Sequence, residues 1–394
     1  MTEHYDVVVI GGGIQGVGVA QAAAAEGHSV LVLEKSGLAD GTSSKSSKLI
    51  HGGLRYLESM QLSLVRECLH ERAILLKIAP DLVKMHRFHI PIYEETRRPR
   101  IHINAGLMLY YALSKFRPEA KPGLISRKNW HKLDGLATNN LKSVFYYSDA
   151  QTDDRLLTQA VMASAESMDA EIRCPATFLS ANVHTQGCEI SYLSGGEQHQ
   201  CTATVLVNAA GPWVNEVANK VSPSLPLQNV DLVAGTHILV DGELENGIYY
   251  TESPRDGRAV FVMPWQSKIL VGTTERVFRD LPDLIKSSRS EQNYLLSVFK
   301  HYFPQYKDLA INETLDSFAG LRVLPRAEGH AFHRTREVIY KMDNKKSPRV
   351  LSVYGGKLTA YRATAQNVMA RIRSSLPTRI RRGYTDKIRL YPPS

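Results

Sequence analysis

Residues 7–34 constrain the fold more tightly than any other stretch. The apolar run Val7 to Ile10 breaks at Gly11-Gly12-Gly13-Ile14-Gln15-Gly16, and an alanine-rich, helix-forming stretch from Val17 to Ala25 follows. Strand, glycine turn and helix in that order make an anion cradle. Gly11 permits the tight turn, Gly13 lets the backbone approach a pyrophosphate, and Gly16 lets the helix pack on the strand while its unpaired N–H groups face the charge. A second apolar run, Val30 to Leu33, ends in Glu34, a carboxylate placed to accept ribose hydroxyls and to repel a 2′-phosphate. The pattern predicts a Rossmann-like α/β domain holding a dinucleotide. It does not by itself separate NAD from FAD.

Two later segments extend the reading. Val205-Leu206-Val207-Asn208-Ala209-Ala210-Gly211-Pro212-Trp213 is a buried strand breaking at a glycine, and Leu351-Ser352-Val353-Tyr354-Gly355-Gly356-Lys357-Leu358-Thr359 is a strand running into an expected helix start. Strand-to-glycine junctions spread over the whole chain predict one long ligand lying across several strand ends. Thr42-Ser43-Ser44-Lys45-Ser46-Ser47-Lys48-Leu49-Ile50-His51-Gly52-Gly53-Leu54-Arg55-Tyr56 adds hydroxyls, glycines, an imidazole and a guanidinium close behind the first junction. It reads as a phosphate cradle running into an active site.

Residues 43–58, together with Gly211-Pro212-Trp213 and Tyr354-Gly355-Gly356-Lys357-Leu358-Thr359-Ala360-Tyr361-Arg362, resemble the FAD-dependent glycerol-3-phosphate dehydrogenases of the D-amino-acid-oxidase-like flavoproteins. The resemblance covers nearly the whole chain. It implies FAD as cofactor, oxidation of sn-glycerol 3-phosphate to dihydroxyacetone phosphate, and a quinone as electron acceptor at a membrane surface. Long bacterial and mitochondrial members carry an additional helical C-terminal domain. This sequence stops soon after the last flavin motif, so that domain's contribution is not carried over.

The length of 394 residues favours two domains. Motifs at the beginning, middle and end predict a discontinuous flavin domain of residues 1–80, 150–230 and 318–394. Residues 81–149 and 231–317 then form a substrate domain, in which His237 to Val240, Ile248 to Tyr250, Ala259 to Met263 and Ile269 to Val271 read as an antiparallel meander. Gln61 to Ile78 reads as an amphipathic packing helix. The pair Asp153 and Asp154 precedes Leu156-Leu157 and reads as a helix cap rather than a metal site.

Four cysteines, Cys68, Cys174, Cys188 and Cys201, lack metal-ligand or redox spacing and read as reduced and structural. No apolar run approaches bilayer length and no signal-peptide core precedes the first strand, which predicts a cytoplasmic protein, peripheral on the inner face of the cell membrane if it is attached at all. The net charge of +9 is concentrated in residues 371–389, which read as a solvated terminal helix and strand, with a phospholipid-binding surface as the alternative, and no nucleic-acid module is present. Met108-Leu109-Tyr110-Tyr111-Ala112-Leu113, flanked by Arg97, Arg98, Arg100, Lys115 and Arg117, reads either as an interfacial helix or as a helix packed inside the substrate domain.

Flavin oxidation of an alcohol needs a donor carbon near the flavin N5, a base for the hydroxyl proton, and stabilisation of the reduced flavin anion. His51 is the leading base, with a hydrogen-bonding role toward the flavin as the equal alternative and covalent attachment as a third. A phosphomonoester carries nearly two negative charges, so its burial needs several cations. Arg55 is the first. Arg322 and Lys357 match the family's substrate-binding cations, and Arg336 is a further one by position, with Arg334 close enough to compete for it. Tyr56 joins them as a hydrogen-bond donor or stacking partner. Arg322 and Lys357 are also placed with His51 in the catalytic group. The residues expected against the cofactor are Gly11, Gly13, Ile14, Gln15, Gly16, Glu34, Lys35, Thr42, Ser43, Ser44, Ser47, Lys48, Leu49, His51, Gly52, Ala176, Ala209, Gly211, Trp213, Gly320, Gly356, Lys357, Leu358 and Thr359. Two alternatives stay open: an oxidase or dehydrogenase of an amino acid, secondary amine or 2-hydroxy acid on the same fold, and a flavin-binding protein without turnover.

Overall fold

The computed structural model describes residues 2–313, 316–326 and 337–393. The first half of the chain forms β1 (Glu3–Ile10), α1 (Ile14–Ala25), β2 (Val30–Leu33), β3 (Leu49–Ile50), α2 (Leu62–Ile78), β4 (Val83–Tyr93), α3 (Arg100–Leu113), β5 (Gly123–Leu124), β6 (Leu141–Thr152), α4 (Asp154–Glu166), β7 (Glu171–Arg173), β8 (Thr177–His184) and β9 (Gly187–Ser194). It continues with β10 (Glu197–Asn208), α5 (Val214–Asn219), β11 (Val221–Ser222), β12 (Val230–Asp241), β13 (Ile248–Glu252), β14 (Ala259–Trp265), β15 (Lys268–Gly272), β16 (Arg276–Phe278), α6 (Arg289–Tyr302), β17 (Asp316–Pro325), β18 (Ile339–Met342), β19 (Val350–Tyr354) and α7 (Tyr361–Ile372).

Two sheets carry the molecule. In the first, β7, β2, β1 and β10 pair in parallel and β19 joins β10 in parallel, while β9 turns back along the early part of β10 and β8 pairs with β9 beyond it. Parallel strands are covered on both faces and therefore read as continuous apolar runs, as β1 and β2 do. Helix α1 is buried along nearly its whole length, wedged between this sheet and helices α4 and α7. That explains a sequence apolar on every side. Gly18 is the contact point: a Cβ there would stand 2.8 Å from the Tyr361 ring.

The second sheet runs β16-β12-β15-β14-β13-β4-β6-β3, with β17 on the other side of β12. The expected meander is present and longer than its apolar runs suggested, and among the described residues the sheet's one parallel contact joins β13 to β4. The α/β class, with a Rossmann-like domain and a second domain containing an antiparallel sheet, is thus the architecture seen. The expected segment break at residue 318 falls inside β17, which pairs with β12 from Asp316 to Pro325. Residue 150 likewise falls inside β6, a strand of the same sheet.

The C-terminal segment differs from the expected solvated helix and strand. After α7 no strand follows among the described residues, and the chain lies back across the first domain. Arg379 forks onto the buried Asp6 at 3.0 Å, Arg373 and Arg381 meet Glu26, Arg382 meets Asp169 and Arg389 meets Asp81. Leu390 is fully buried and its N–H donates to the Ile78 carbonyl at 2.7 Å. Most of the tail's cations are consumed by acids of the same molecule, which is why a count of charges misjudged them.

Candidate active site

The cradle is built as its spacing predicts. Gly11 has φ +110°, and a Cβ there would stand 2.8 Å from the Ala209 carbonyl oxygen, so β1 and β10 approach too closely for a side chain. At Gly16 a Cβ would meet the Gly11 carbonyl at 1.9 Å; this glycine packs the helix on its strand and does not line the crevice. Helix α1 opens at Gly13 with no side-chain cap, which leaves N–H groups for an anion. Ser43 takes one of them, accepting from the Ile14 N–H at 2.9 Å. At the end of β2, Glu34 Oε2 accepts the Gly12 N–H at 2.6 Å, and Oε1 accepts from the Ser36 N–H and hydroxyl. Oε2 keeps a second lone pair for a ribose hydroxyl.

The wall between the two sheets carries Gly11, Gly13, Ile14, Gln15, Glu34, Lys35, Thr42, Ser43, Ser47, Leu49, His51, Ala176, Ala209, Gly211, Trp213, Gly320, Gly356, Lys357, Leu358 and Thr359. Lys35 and Trp213 stack at 3.9 Å, and both bond Asp283. Thr42 donates to the Leu321 carbonyl at 2.7 Å, and the His51 N–H donates to the Thr359 hydroxyl at 3.1 Å, tying loops from distant parts of the chain. Gln15 donates to the Lys357 carbonyl, and its buried Oε1 has no partner among the described residues.

Three other residues expected against the cofactor sit behind the wall. Lys48 points inward, where Nζ lies 2.6 Å from Asp154 Oδ1 and 2.6 Å from the Ser44 carbonyl oxygen. Ser44 closes the turn that Lys48 ties down, its own hydroxyl donating to the Gly41 carbonyl. Gly52 packs under Tyr110, whose hydroxyl accepts the Gly52 N–H at 2.8 Å and donates to the buried Asp149, itself paired with Arg72. The reading of Asp153 and Asp154 as caps holds for Asp153 alone, which accepts the Leu156 N–H; Asp154 anchors the cradle through Lys48 and the Ser46 N–H. The expected helix start at Gly355 is also displaced: α7 begins at Tyr361, and Gly355 and Gly356, at φ +83° and +106°, form a loop before it.

At the second-sheet end of the crevice Arg55, Tyr56, Arg322 and Lys357 come together, joined by Arg258 and Glu275, which the sequence reading missed. Glu275 Oε1 lies 3.0 Å from Arg322 Nη1 and 3.6 Å from Arg55 Nη2. Lys357 Nζ stands 3.7 Å above the Tyr56 ring centroid and 3.7 Å from Cys68 Sγ. Tyr147, Tyr250 and Phe261 supply apolar wall. Behind Ser47 lies His237, its Nε2 3.0 Å from the Ser47 hydroxyl and its ring stacked on Phe318; burial, then Arg322 and Lys48, hold its pKa down at about 3. Arg334 and Arg336 lie outside the described residues. The signals for the missed pair were faint: Arg258 follows the turn Asp256-Gly257, and Glu275 comes three residues after the apolar strand β15, behind Thr273-Thr274.

Among the described residues no group of three His, Cys, Asp or Glu side chains is placed to hold a metal, and no helix is long and apolar enough to cross a membrane.

A family model described as FAD dependent oxidoreductase matches residues 6–362. A D-erythritol 1-phosphate dehydrogenase of Brucella abortus is 35% identical, the match covering 95% of this chain and 75% of that protein. A glycerol-3-phosphate dehydrogenase of Pseudomonas aeruginosa is 38% identical, covering 94% of this chain and 72% of that one. The crystal structure of a Bacillus halodurans glycerol-3-phosphate dehydrogenase complexed with FAD superposes with a TM-score of 0.75 at 24% identity, over 98% of this chain and 68% of that one. The crevice fits FAD: its glycines exclude side chains where a pyrophosphate must approach, Glu34 offers a ribose acceptor, and Gln15 Oε1 is a buried acceptor without a donor among the described residues.

Proposed function

Since the chain belongs to the FAD-dependent oxidoreductases, an enzyme family, we propose that it oxidises the secondary alcohol of sn-glycerol 3-phosphate to the ketone of dihydroxyacetone phosphate. The observation that carries this reading is the convergence of Arg55, Arg258, Arg322 and Lys357 on one crevice wall. A carboxylate substrate needs one such cation, whereas a phosphomonoester needs several.

Bound FAD supplies the hydride acceptor at its N5. Arg55, Arg258 and Arg322 hold the phosphate oxygens, with Tyr56 fixing Lys357 above its ring by cation–π attraction. Among the described residues His51 is the imidazole on this wall, and it accepts the hydroxyl proton as the hydride leaves. Lys357 and Arg322 favour the charge that develops beside them. Tyr147, Tyr250 and Phe261 narrow the space open to water.

The electron acceptor in this reading is a quinone reached at a membrane surface. Helix α3 supports it: Leu107 and Tyr110 are buried, whereas Ile101, Met108 and Leu109 face outward between basic residues. The similarity to a D-erythritol 1-phosphate dehydrogenase supports a second reading, a four-carbon polyol phosphate. The deciding experiment compares kcat/KM for sn-glycerol 3-phosphate, D-erythritol 1-phosphate, glycine and sarcosine, each with a quinone analogue and with oxygen. The glycerol phosphate with quinone should be fastest. Preference for erythritol phosphate transfers the assignment to that substrate, and preference for either amine removes the phosphate reading.

A further inference from the structure

Glu275 sits where the cation cluster meets the outside, and neither the hydride nor the proton step employs it. Its side chain is only 5% exposed although it follows a strand at the mouth of the crevice. One oxygen, Oε1, serves both Arg322 and Arg55, and Arg258 Nη1 donates to the Glu275 backbone carbonyl at 3.4 Å. Arg55, Arg258 and Glu275 also belong to the wall of a second, outer cavity of about 920 Å³. Arg55, Arg258 and Glu275 therefore stand between the two cavities.

A carboxylate bridging two guanidinium groups uses the same forked N–H donors that phosphate oxygens use. It also repels a dianion brought to the same place. We propose that Glu275 is an internal counter-anion, which holds Arg55 and Arg322 before substrate arrives, yields at least one of them to the incoming phosphate, and so sets how tightly and how selectively the site takes phosphorylated substrates. The proposal rests on the reading that the cluster binds a phosphomonoester. It separates cleanly from a purely structural role. If Glu275 only aimed the arginines, its loss would weaken anion binding; as a competitor for them, its loss strengthens it.

The test uses the FAD-loaded protein and inorganic phosphate as a dead-end probe, followed by the perturbation of flavin absorbance and by competition with sn-glycerol 3-phosphate. Glu275→Gln keeps size and hydrogen bonding while removing the charge, and Glu275→Asp keeps the charge on a shorter arm. Phosphate should bind Glu275→Gln about tenfold more tightly or better, with a lower KM for the substrate and no rise in kcat, and Glu275→Asp should fall between Gln and wild type. Unchanged or weaker phosphate binding in the Gln variant at full flavin content overturns the proposal, and the Asp variant carries the same criterion if the Gln variant loses FAD. If phosphate competes in no form of the protein, wild type and Arg55→Ala included, the phosphate reading of the cluster fails, and this inference falls with it.

Discussion

Arg55 and Arg322 both follow a Gly-Leu pair, and a guanidinium at that place inside an apolar motif is poorly explained by surface solvation, so their place on the crevice wall was legible in the sequence. Replacing either by Ala should lower kcat/KM for the phosphorylated substrate by about ten- to 150-fold, mostly through KM for Arg55 and through both KM and kcat for Arg322, the equivalent of about 1.5–3 kcal/mol per charge-assisted partner. Flavin content, read by absorbance, should stay at the wild-type level. Arg258 and Glu275 were not readable in the same way. Each stands alone at a turn or strand end, and only the packing of β13 to β15 over the crevice turns them inward. His237 was equally silent, since a histidine within a β-rich run carries no mark of its surroundings. Its pKa is held at about 3, below the 6.5 of a free imidazole, by burial and then by Arg322 and Lys48. The unfolded chain takes up a proton below pH 6.5 that the folded protein refuses until about 3. Stability from this group is therefore complete above pH 6.5 and falls by about 1.4 kcal/mol per pH unit as the pH drops through that window. His237→Asn should flatten the acid limb of a denaturant-midpoint profile relative to wild type over that range.

At the scale of elements, β1, α1 and β2 were legible because three constraints agree: continuous apolar strands, glycines at fixed offsets and an acid at the second strand end. The loop from Thr42 to Gly52 was legible as a cradle, but not in which of its side chains line the crevice. Alternation does not apply to an irregular loop, so the inward turn of Lys48 onto Asp154 could not be read from spacing. That pair joins the cradle to the first turn of α4 with both side chains nearly inaccessible, at 7% and 0%. Lys48→Met strands a buried carboxylate and should cost about 3–5 kcal/mol in chemical unfolding, with FAD content falling as the loop loosens. A Lys48→Met, Asp154→Leu double variant should recover most of the stability, because it removes both charges together. The C-terminal strap was the least legible element. Its sequence shows mainly cations, and its acidic partners Asp6, Glu26, Asp81 and Asp169 are scattered along the chain.

Across the whole molecule, two sheets meet at a crevice whose wall carries both the glycine cradle and the cation cluster. The consumed charge of the strap shifts the expected membrane contact to the face around α3, where Ile101, Met108 and Leu109 are exposed. Leu109→Glu should abolish co-sedimentation with anionic vesicles at low salt, and wild-type binding should fall steeply toward physiological salt; reversal of the strap charges should have the smaller effect. The most direct test of the phosphate-directed crevice is anaerobic mixing of the FAD-loaded protein with sn-glycerol 3-phosphate or with glycerol, followed as loss of the oxidised flavin band. Bleaching by the phosphate ester alone, at concentrations raised at least about tenfold in Arg55→Ala, is the expected result. Equal bleaching by glycerol, or none by either in flavin-replete protein, would contradict it.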